Sequence, residues 1–285
     1  MANEKYALVT GTNTGIGLEV TVQLAEAGYT VFATVRALEK AAALKETAAS
    51  RGVTGRVHVV EMDVAADESV SKAVASVLAR TENMLDVVVA NAGYGDMTPP
   101  EAARPEHFVQ NMNVNLCGVV RLVNAVLPSM RTRGRGHILV TSSLVGLVGL
   151  PMMPVYVATK FAVEGYVESM AGTYAPLGIH FTLVEPGPVE TPFMANTSSA
   201  GEGALPSELQ PVAKAYGKAS ESFMSKPQSA ADCATYFIRA VQAEKPPLRT
   251  MTYEPFTAMV NTKFADADGT KTLATLTEMT SPSSA

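Results

Sequence analysis

The chain has 285 residues and a formal net charge of -5, with 47% of its residues hydrophobic and 17% charged. That balance belongs to a globular protein able to bury a sizeable core; it excludes a largely disordered chain and an electrostatic binder of nucleic acid, which needs a clustered basic surface. Two cysteines, Cys117 and Cys233, are too few and too far apart for a disulfide framework or a metal cage, so they read as small core residues in a reducing compartment and no metal site is expected.

Met1 to Lys5 is too short and polar for a signal peptide, which points to a cytoplasmic protein. Residues 6–10 form a short apolar strand that runs into Gly11, Thr12, Asn13, Thr14, Gly15, Ile16 and Gly17, after which Leu18, Val22 and Ala25 recur at helical spacing. Strand, glycine turn and helix in this order suit a pyrophosphate, because glycines let the backbone approach it and the helix N-terminus meets its charge. A second strand over 30–35 ends at Arg36, where a site for NAD places an acid on the ribose 2′-hydroxyl. An arginine there favours the 2′-phosphate of NADP, with the Thr12 hydroxyl as a second ligand from the loop.

An alanine-rich helix over 37–50 precedes a third strand over 56–62, which delivers Asp63 and Val64 at its end. Asp63 either binds the adenine or caps the next helix. Residues 69–80 read as a helix and 85–90 as the apolar run of a strand buried on both faces, ending at Asn91, Ala92 and Gly93, a small and polar stretch that can pass beneath a flat ligand. A long helix is expected over 106–133, with Asn113, Asn115 and Gly118 in its middle marking a local distortion.

A fifth strand over 137–141 ends at Ser142 and Ser143. The uncharged stretch 138–159 is broken by Gly146, Gly149, Pro151 and Pro154, so it reads as a buried strand feeding a loop and not as a membrane span. The helix over 155–174 opens with Tyr156 and Lys160, four apart and therefore on one face. A phenol near pKa 10 is a poor proton donor at neutral pH, and bringing it near neutrality requires roughly 4 kcal/mol, part of which an adjacent cation supplies.

A sixth strand over 179–185 leads to Pro186 and Gly187. Residues 188–225 read as an irregular substrate lid rich in apolar side chains; 231–242 is a helix, 248–253 an edge strand, and from Asp266 to 285 the chain is expected to fray into a flexible Ser/Thr-rich tail. The glycine loop, Asn91, Ser143 and Pro186-Gly187 all follow the carboxyl ends of strands, the edge of an open sheet where ligands bind. One α/β domain spanning 1–285 is expected, a doubly wound parallel sheet of about seven strands with helices on both faces. Around the Tyr/Lys pair lie Leu144, Val145, Leu150 and Met153, joined by Gly187 after the sixth strand and by Val189, Phe193 and Met194 from the lid, so a bulky apolar substrate is favoured.

These motifs in this order resemble the classical short-chain dehydrogenase/reductase family: Thr10 to Gly17 matches its TGxxxGIG loop, Asn91-Ala92-Gly93 its NAG, and Ser143, Tyr156 and Lys160 its Ser and YxxxK. The resemblance implies a Rossmann fold and hydride transfer at a nicotinamide, with Tyr156 as acid/base, Lys160 holding the nicotinamide ribose and Ser143 the substrate oxygen. Asn115 would be the fourth catalytic residue, holding a water that relays protons to Lys160, and Pro186, Gly187, Val189 and Thr191 would cover the nicotinamide. The stretch 146–194 with 245–249 is similar to the branch of type 1 17β-hydroxysteroid dehydrogenase and photoreceptor-type retinol dehydrogenase, which implies NADP(H), a steroid- or retinoid-like substrate and a homodimer or homotetramer. No histidine lies between Pro188 and Ala285 to read a steroid's far hydroxyl, and Glu254 is the candidate acid near the C-terminus. A carbonyl reductase of other lipophilic metabolites and a non-catalytic NADP-binding scaffold are the alternatives.

Overall fold

The computed structural model describes residues 4–193, 195, 197 and 205–281. Seven strands form one parallel sheet in the order β3-β2-β1-β4-β5-β6-β9. They are β1 (Lys5–Thr10), β2 (Tyr29–Val35), β3 (Val57–Glu61), β4 (Leu85–Ala90), β5 (Gly136–Thr141), β6 (Ile179–Glu185) and β9 (Arg249–Met251). The order reverses between β1 and β4, so the carboxyl ends of these two strands open a crevice there.

The central strands are apolar because helices cover both faces. On one side α3 (Asp67–Arg80), α5 (Cys117–Arg133) and α6 (Pro154–Tyr174) pack Val74, Leu122, Met130 and Val163 against Phe32, Val88 and Ile138. On the other, α1 (Gly15–Glu26), α2 (Ala42–Ser50) and α8 (Ala230–Gln242) pack Leu24, Leu44 and Phe237 against Val9, Val31 and Val89. Each large side chain buried this fully contributes about 1.5–3 kcal/mol. Asp86, the charged residue within β4, accepts from the Tyr6 amide at 3.0 Å and pairs with Arg133 at 3.2 Å, at the point where the β1–β4 register shifts.

Three expectations are corrected. The helix read over 106–133 is two, α4 (Pro105–Asn115) and α5, meeting at Leu116. Arg121 donates to the Asn113 carbonyl at 3.0 Å and to its side-chain oxygen at 2.9 Å, which satisfies a polar backbone group beside the break. The segment 188–225 is not irregular throughout: β7 (Val189–Glu190) pairs with β8 (Gln228–Ser229), and α7 (Gln210–Met224) follows. Where a fraying tail is expected, α9 (Thr257–Ala265) is followed by α10 (Thr270–Thr280). Asp266 accepts from the Thr272 amide at 2.7 Å, and Leu276 and Met279 of α10 pack onto Phe256 and its neighbours, so the last helix has both a start signal and an apolar face to bury.

No helix among the described residues is long and apolar enough to cross a membrane.

Candidate active site

The strand ends are fastened to one another before any ligand is considered. Asn91 donates from its side chain to the carbonyls of Thr10 (3.0 Å) and Gly11 (3.2 Å), and its side-chain oxygen accepts from Thr141 at 3.1 Å. The amides of Asn91 and Ala92 both donate to the Thr10 hydroxyl. β1, β4 and β5 thus share one polar knot. Gly11 sits at φ +69, and a side chain there would lie 2.9 Å from the Ala92 backbone; one on Gly17 would lie 2.3 Å from the Gly11 carbonyl. The loop needs glycine at both places, the first for its turn and the second for close packing of α1 on the strand.

A continuous cleft of about 1310 Å³ runs along this edge. It exceeds the roughly 300–1,000 Å³ of a pocket for a single drug-sized ligand, and so has room for a dinucleotide and a substrate together. At one end it is lined by Arg36, Asp63, Val64 and the loop residues Gly11, Asn13, Thr14, Gly15 and Ile16. Lys40 lines it too, a second cation beside Arg36 that the sequence reading missed although it lies four residues on, in a short 3-10 turn (Leu38–Ala41). Thr12 is different. It is fully buried, and its amide and hydroxyl both donate to the Thr34 carbonyl at 3.1 Å, so it locks the loop to β2 and does not face the cleft. Gly17 likewise lies behind the lining. Of the two readings of Asp63, the helix cap fails: α3 starts after Ala66 without a side-chain cap, while Asp63 accepts from the Ala65 amide at 2.9 Å and lines the cleft.

In the middle stand Asn91, Ala92, Gly93, Ser143, Tyr156, Lys160, Pro186, Gly187, Val189 and Thr191. Tyr156 and Lys160 are buried one turn apart on α6, the Lys160 ammonium 5.7 Å from the Tyr156 ring centre and donating to the Thr141 carbonyl at 2.9 Å. Burial pushes the Tyr156 phenol well above its usual range, and a hydrogen bond with Ser143 works against that rise. Burial lowers the Lys160 ammonium to about 8. The Ser143 hydroxyl accepts from the Val145 amide at 3.3 Å and lies 3.5 Å from the Pro186 carbonyl, which ties the β5 end to the β6 end. Met152, in the loop leading to α6, has φ +66, a strained conformation for a non-glycine residue beside the cleft.

Asn115 is held on three sides. Its side chain accepts from the Tyr94 amide at 3.0 Å and donates to the Tyr94 carbonyl at 2.9 Å and to Asn111 at 3.1 Å. All its polar atoms are engaged, and it fastens the loop after β4 to α4 from behind the lining of the cleft.

At the far end Leu144, Val145, Leu150, Met153 and Phe193 line the cleft as expected, and the Phe193 ring lies 5.8 Å from that of Tyr156. Met194 lies outside the described residues. Tyr216 and Phe223, apolar residues of the expected lid carried on the unexpected helix α7, complete the wall together with Phe256, which the sequence reading missed. Phe223 and Phe256 meet edge to face at 5.0 Å, and the Tyr253 hydroxyl donates to the Phe223 carbonyl at 2.9 Å. The spacing of Val212, Tyr216 and Phe223 was the available signal, blurred by Pro211, Gly217 and the serines between. Glu254 is exposed and is not part of the wall.

The short chain dehydrogenase family model matches residues 5–202. Among curated relatives, 17-beta-hydroxysteroid dehydrogenase type 1 of Homo sapiens is 37% identical over 270 residues, covering 92% of this chain and 81% of that protein. Retinol dehydrogenase 8 of Bos taurus is 38% identical over 274 residues, covering 93% and 86%. A short-chain dehydrogenase from Streptomyces avermitilis superposes with a TM-score of 0.79 at 27% identity, covering 96% of this chain and 98% of that one. Other chains of this fold were solved with NADP and with NAD. With a family model matched over residues 5–202 and relatives above 30% identical over nine-tenths of its length, this chain belongs to the short-chain dehydrogenase family.

Proposed function

We propose that this protein is an NADP(H)-dependent oxidoreductase that interconverts a carbonyl and an alcohol on a bulky hydrophobic substrate of steroid or retinoid type, with Tyr156 as the acid/base. The observation that carries the reading is the single cleft: Ser143, Tyr156 and Lys160 stand between a polar, glycine-cradled half and an aromatic half. Positively charged Arg36 and Lys40 at the far polar end support a 2′-phosphate. The names of the two relatives, a hydroxysteroid and a retinol dehydrogenase, support the substrate class.

The nicotinamide, when bound, supplies or takes up the hydride. The chain's own residues handle the proton and the charge. Ser143 donates to the substrate oxygen as negative charge grows on it, stabilisation that is largest in the transition state. Tyr156 gives its phenolic proton to that oxygen in reduction and takes it back in oxidation. Its surroundings hold the phenol neutral, the state reduction needs, and Lys160 offsets charge on the phenolate left behind. Asn115 acts at one remove, by fixing Tyr94 and with it the loop that begins at Asn91. The apolar wall from Leu150 to Phe256 excludes water from the reacting oxygen and orients the substrate body. Exposed Val109 on α4 and Phe161 on α6 support self-association through these helices, and a monomer by sedimentation contradicts it.

The test is NADPH consumption with steroid ketones, retinal and aromatic ketones, for wild type and Tyr156→Phe. The variant should bind NADPH and lose about 10²–10⁴-fold in turnover. Equal rates on every active substrate reject Tyr156 as the acid/base.

A further inference from the structure

Further along the face of α6 that carries Tyr156 and Lys160, beyond the lining of the cleft, lies a charged cluster that the chemistry above does not use. Tyr156, Lys160, Glu164 and Glu168 follow one another at four-residue spacing and form one stripe of α6. Glu164 is buried; one of its oxygens accepts from the Ser142 hydroxyl and the other pairs with Arg249. The Arg249 guanidinium also reaches Glu185 at 3.2 Å and Glu168 at 2.7 Å. Glu185 is completely buried, is the last residue of β6 and immediately precedes the Pro186-Gly187 turn that lines the cleft. Arg249 itself opens β9, which pairs Leu183 with Arg249 and Glu185 with Met251 and leads directly to Tyr253 and Phe256.

One guanidinium therefore joins four elements. It holds the helix that carries Tyr156 and Lys160, the strand end that carries Ser143 (through Glu164 and Ser142), the strand end that carries Pro186 and Gly187, and the edge strand that leads to the substrate wall. A planar guanidinium with several donors can hold several carboxylates at once, whereas an ammonium presents a point charge on a flexible stem. An ion cluster with two of its carboxylates buried adds little to stability compared with apolar packing, so its presence asks for another reason. Burial raises the Glu185 carboxyl to about 8, which leaves Arg249 its chief charge balance with Glu164 and Glu168.

We propose that Arg249 is a positioning residue for the hydride-transfer site: through Glu164 and Glu185 it sets Lys160, Ser143 and the Pro186-Gly187 turn in register with one another. The proposal rests on the functional reading above for its kinetic consequence, but not for its geometric one.

Three variants test it. Arg249→Gln leaves the buried Glu164 carboxylate without its cation and is expected to lower Tm. Glu164→Gln/Arg249→Gln removes that charge, keeps an acceptor for the Ser142 hydroxyl and should recover much of that loss. If Arg249 positions the site, kcat of the double variant stays down by about tenfold or more even as Tm returns, because small misplacements at a reacting centre cost that much. KM for NADPH should hold within about twofold, since the glycine loop and Arg36 are untouched. Arg249→Lys, which keeps the charge and the fold, should show the same split with a smaller drop. Return of kcat together with Tm, or a wild-type kcat in Arg249→Lys, overturns the proposal. A second readout needs no turnover: the emission of bound NADPH reports the surroundings of its nicotinamide. A shift in that emission at unchanged affinity in Arg249→Lys supports the proposal, and an unshifted spectrum overturns it. Tyr156→Phe separates the two claims: if it retains activity the acid/base reading fails, while the emission result still decides the role of Arg249.

Discussion

The two halves of the cleft are built in different ways. The cofactor half is held by backbone and short polar side chains: Thr10, Asn91 and Thr141 knot three strand ends, and Thr12 pins the loop to Thr34. The substrate half is a separate apolar cluster, in which Leu144, Val145, Leu150 and Tyr156 pack with Tyr253 and Phe256 and with Phe193, Phe223, Leu276 and Met279 around them. A hydrogen-bonded knot tolerates few residue types, whereas an apolar wall tolerates any set that fills the space. The contrast explains why the polar half restricts its residue types closely and the apolar half restricts mainly shape and polarity.

The strongest way to break this contrast lies at the junction. Lys160→Met should lower turnover about 10²–10⁴-fold, yet make the protein more stable at pH 7. Burial lowers the ammonium from 10.5 to about 8, a cost of about 3 kcal/mol. The folded pKa lies below the unfolded one, so this cost is complete below pH 8 and fades as pH rises from 8 towards 10.5. After the lost hydrogen bond to Thr141 is counted, a gain of about 2 kcal/mol should remain at pH 7. Denaturant melts at pH 7 and pH 10 check this; a net loss at pH 7 contradicts it.

Within the cofactor half, Arg36→Asp should move the NADPH-to-NADH preference in kcat/KM about 10- to 100-fold toward NADH, the worth of a charge-assisted hydrogen bond. Lys40→Ala should move it the same way by less. An unchanged preference removes both residues from the 2′-phosphate. Within the substrate half, Phe193→Ala should raise KM for a bulky ketone about tenfold and leave that for NADPH unchanged. Equal effects on both would erase the division of the cleft.

One further effect is read in stability alone. The Glu185 carboxyl is raised from 4.5 to about 8, so its stabilising contribution is full below 4.5 and is lost as pH rises through 8. Glu185→Gln should therefore melt close to wild type at pH 5 and above it at pH 9. A wild-type advantage at pH 9 contradicts the assignment.

The same contrast governs what could be read from the sequence. β1, β2, β4 and β5 are visible because strands buried on both faces are apolar runs, and the glycine loop because Gly11 and Gly17 admit no side chain. The Tyr156 and Lys160 pair is visible from its four-residue spacing on a strongly apolar helix. Thr12 was misjudged because a threonine in a loop gives no sign of whether its hydroxyl turns inward to Thr34 or outward to a ligand. The setting of Asn115 was not legible for a related reason: its partner, Tyr94, is distant in sequence and offers only its backbone. In the substrate half α7 and α10 are short amphipathic helices of ordinary composition, stabilised by the wall they complete, and local pattern cannot reveal a tertiary partner. Arg249 and its three glutamates were legible only as scattered charges until β9 was set beside β6.

The central claim is that this cleft moves a hydride between a nicotinamide and a carbonyl beside Tyr156. The most direct measurement uses NADPH deuterated at the transferring C4 position, with retinal and a steroid ketone as acceptors and mass spectrometry of the alcohol formed. The account predicts one deuterium on the carbinol carbon of the product with wild type, and almost no labelled alcohol with Tyr156→Phe in a protein that still binds NADPH. NADPH bound but no label delivered to either acceptor, or the same yield of labelled alcohol from Tyr156→Phe, would contradict it.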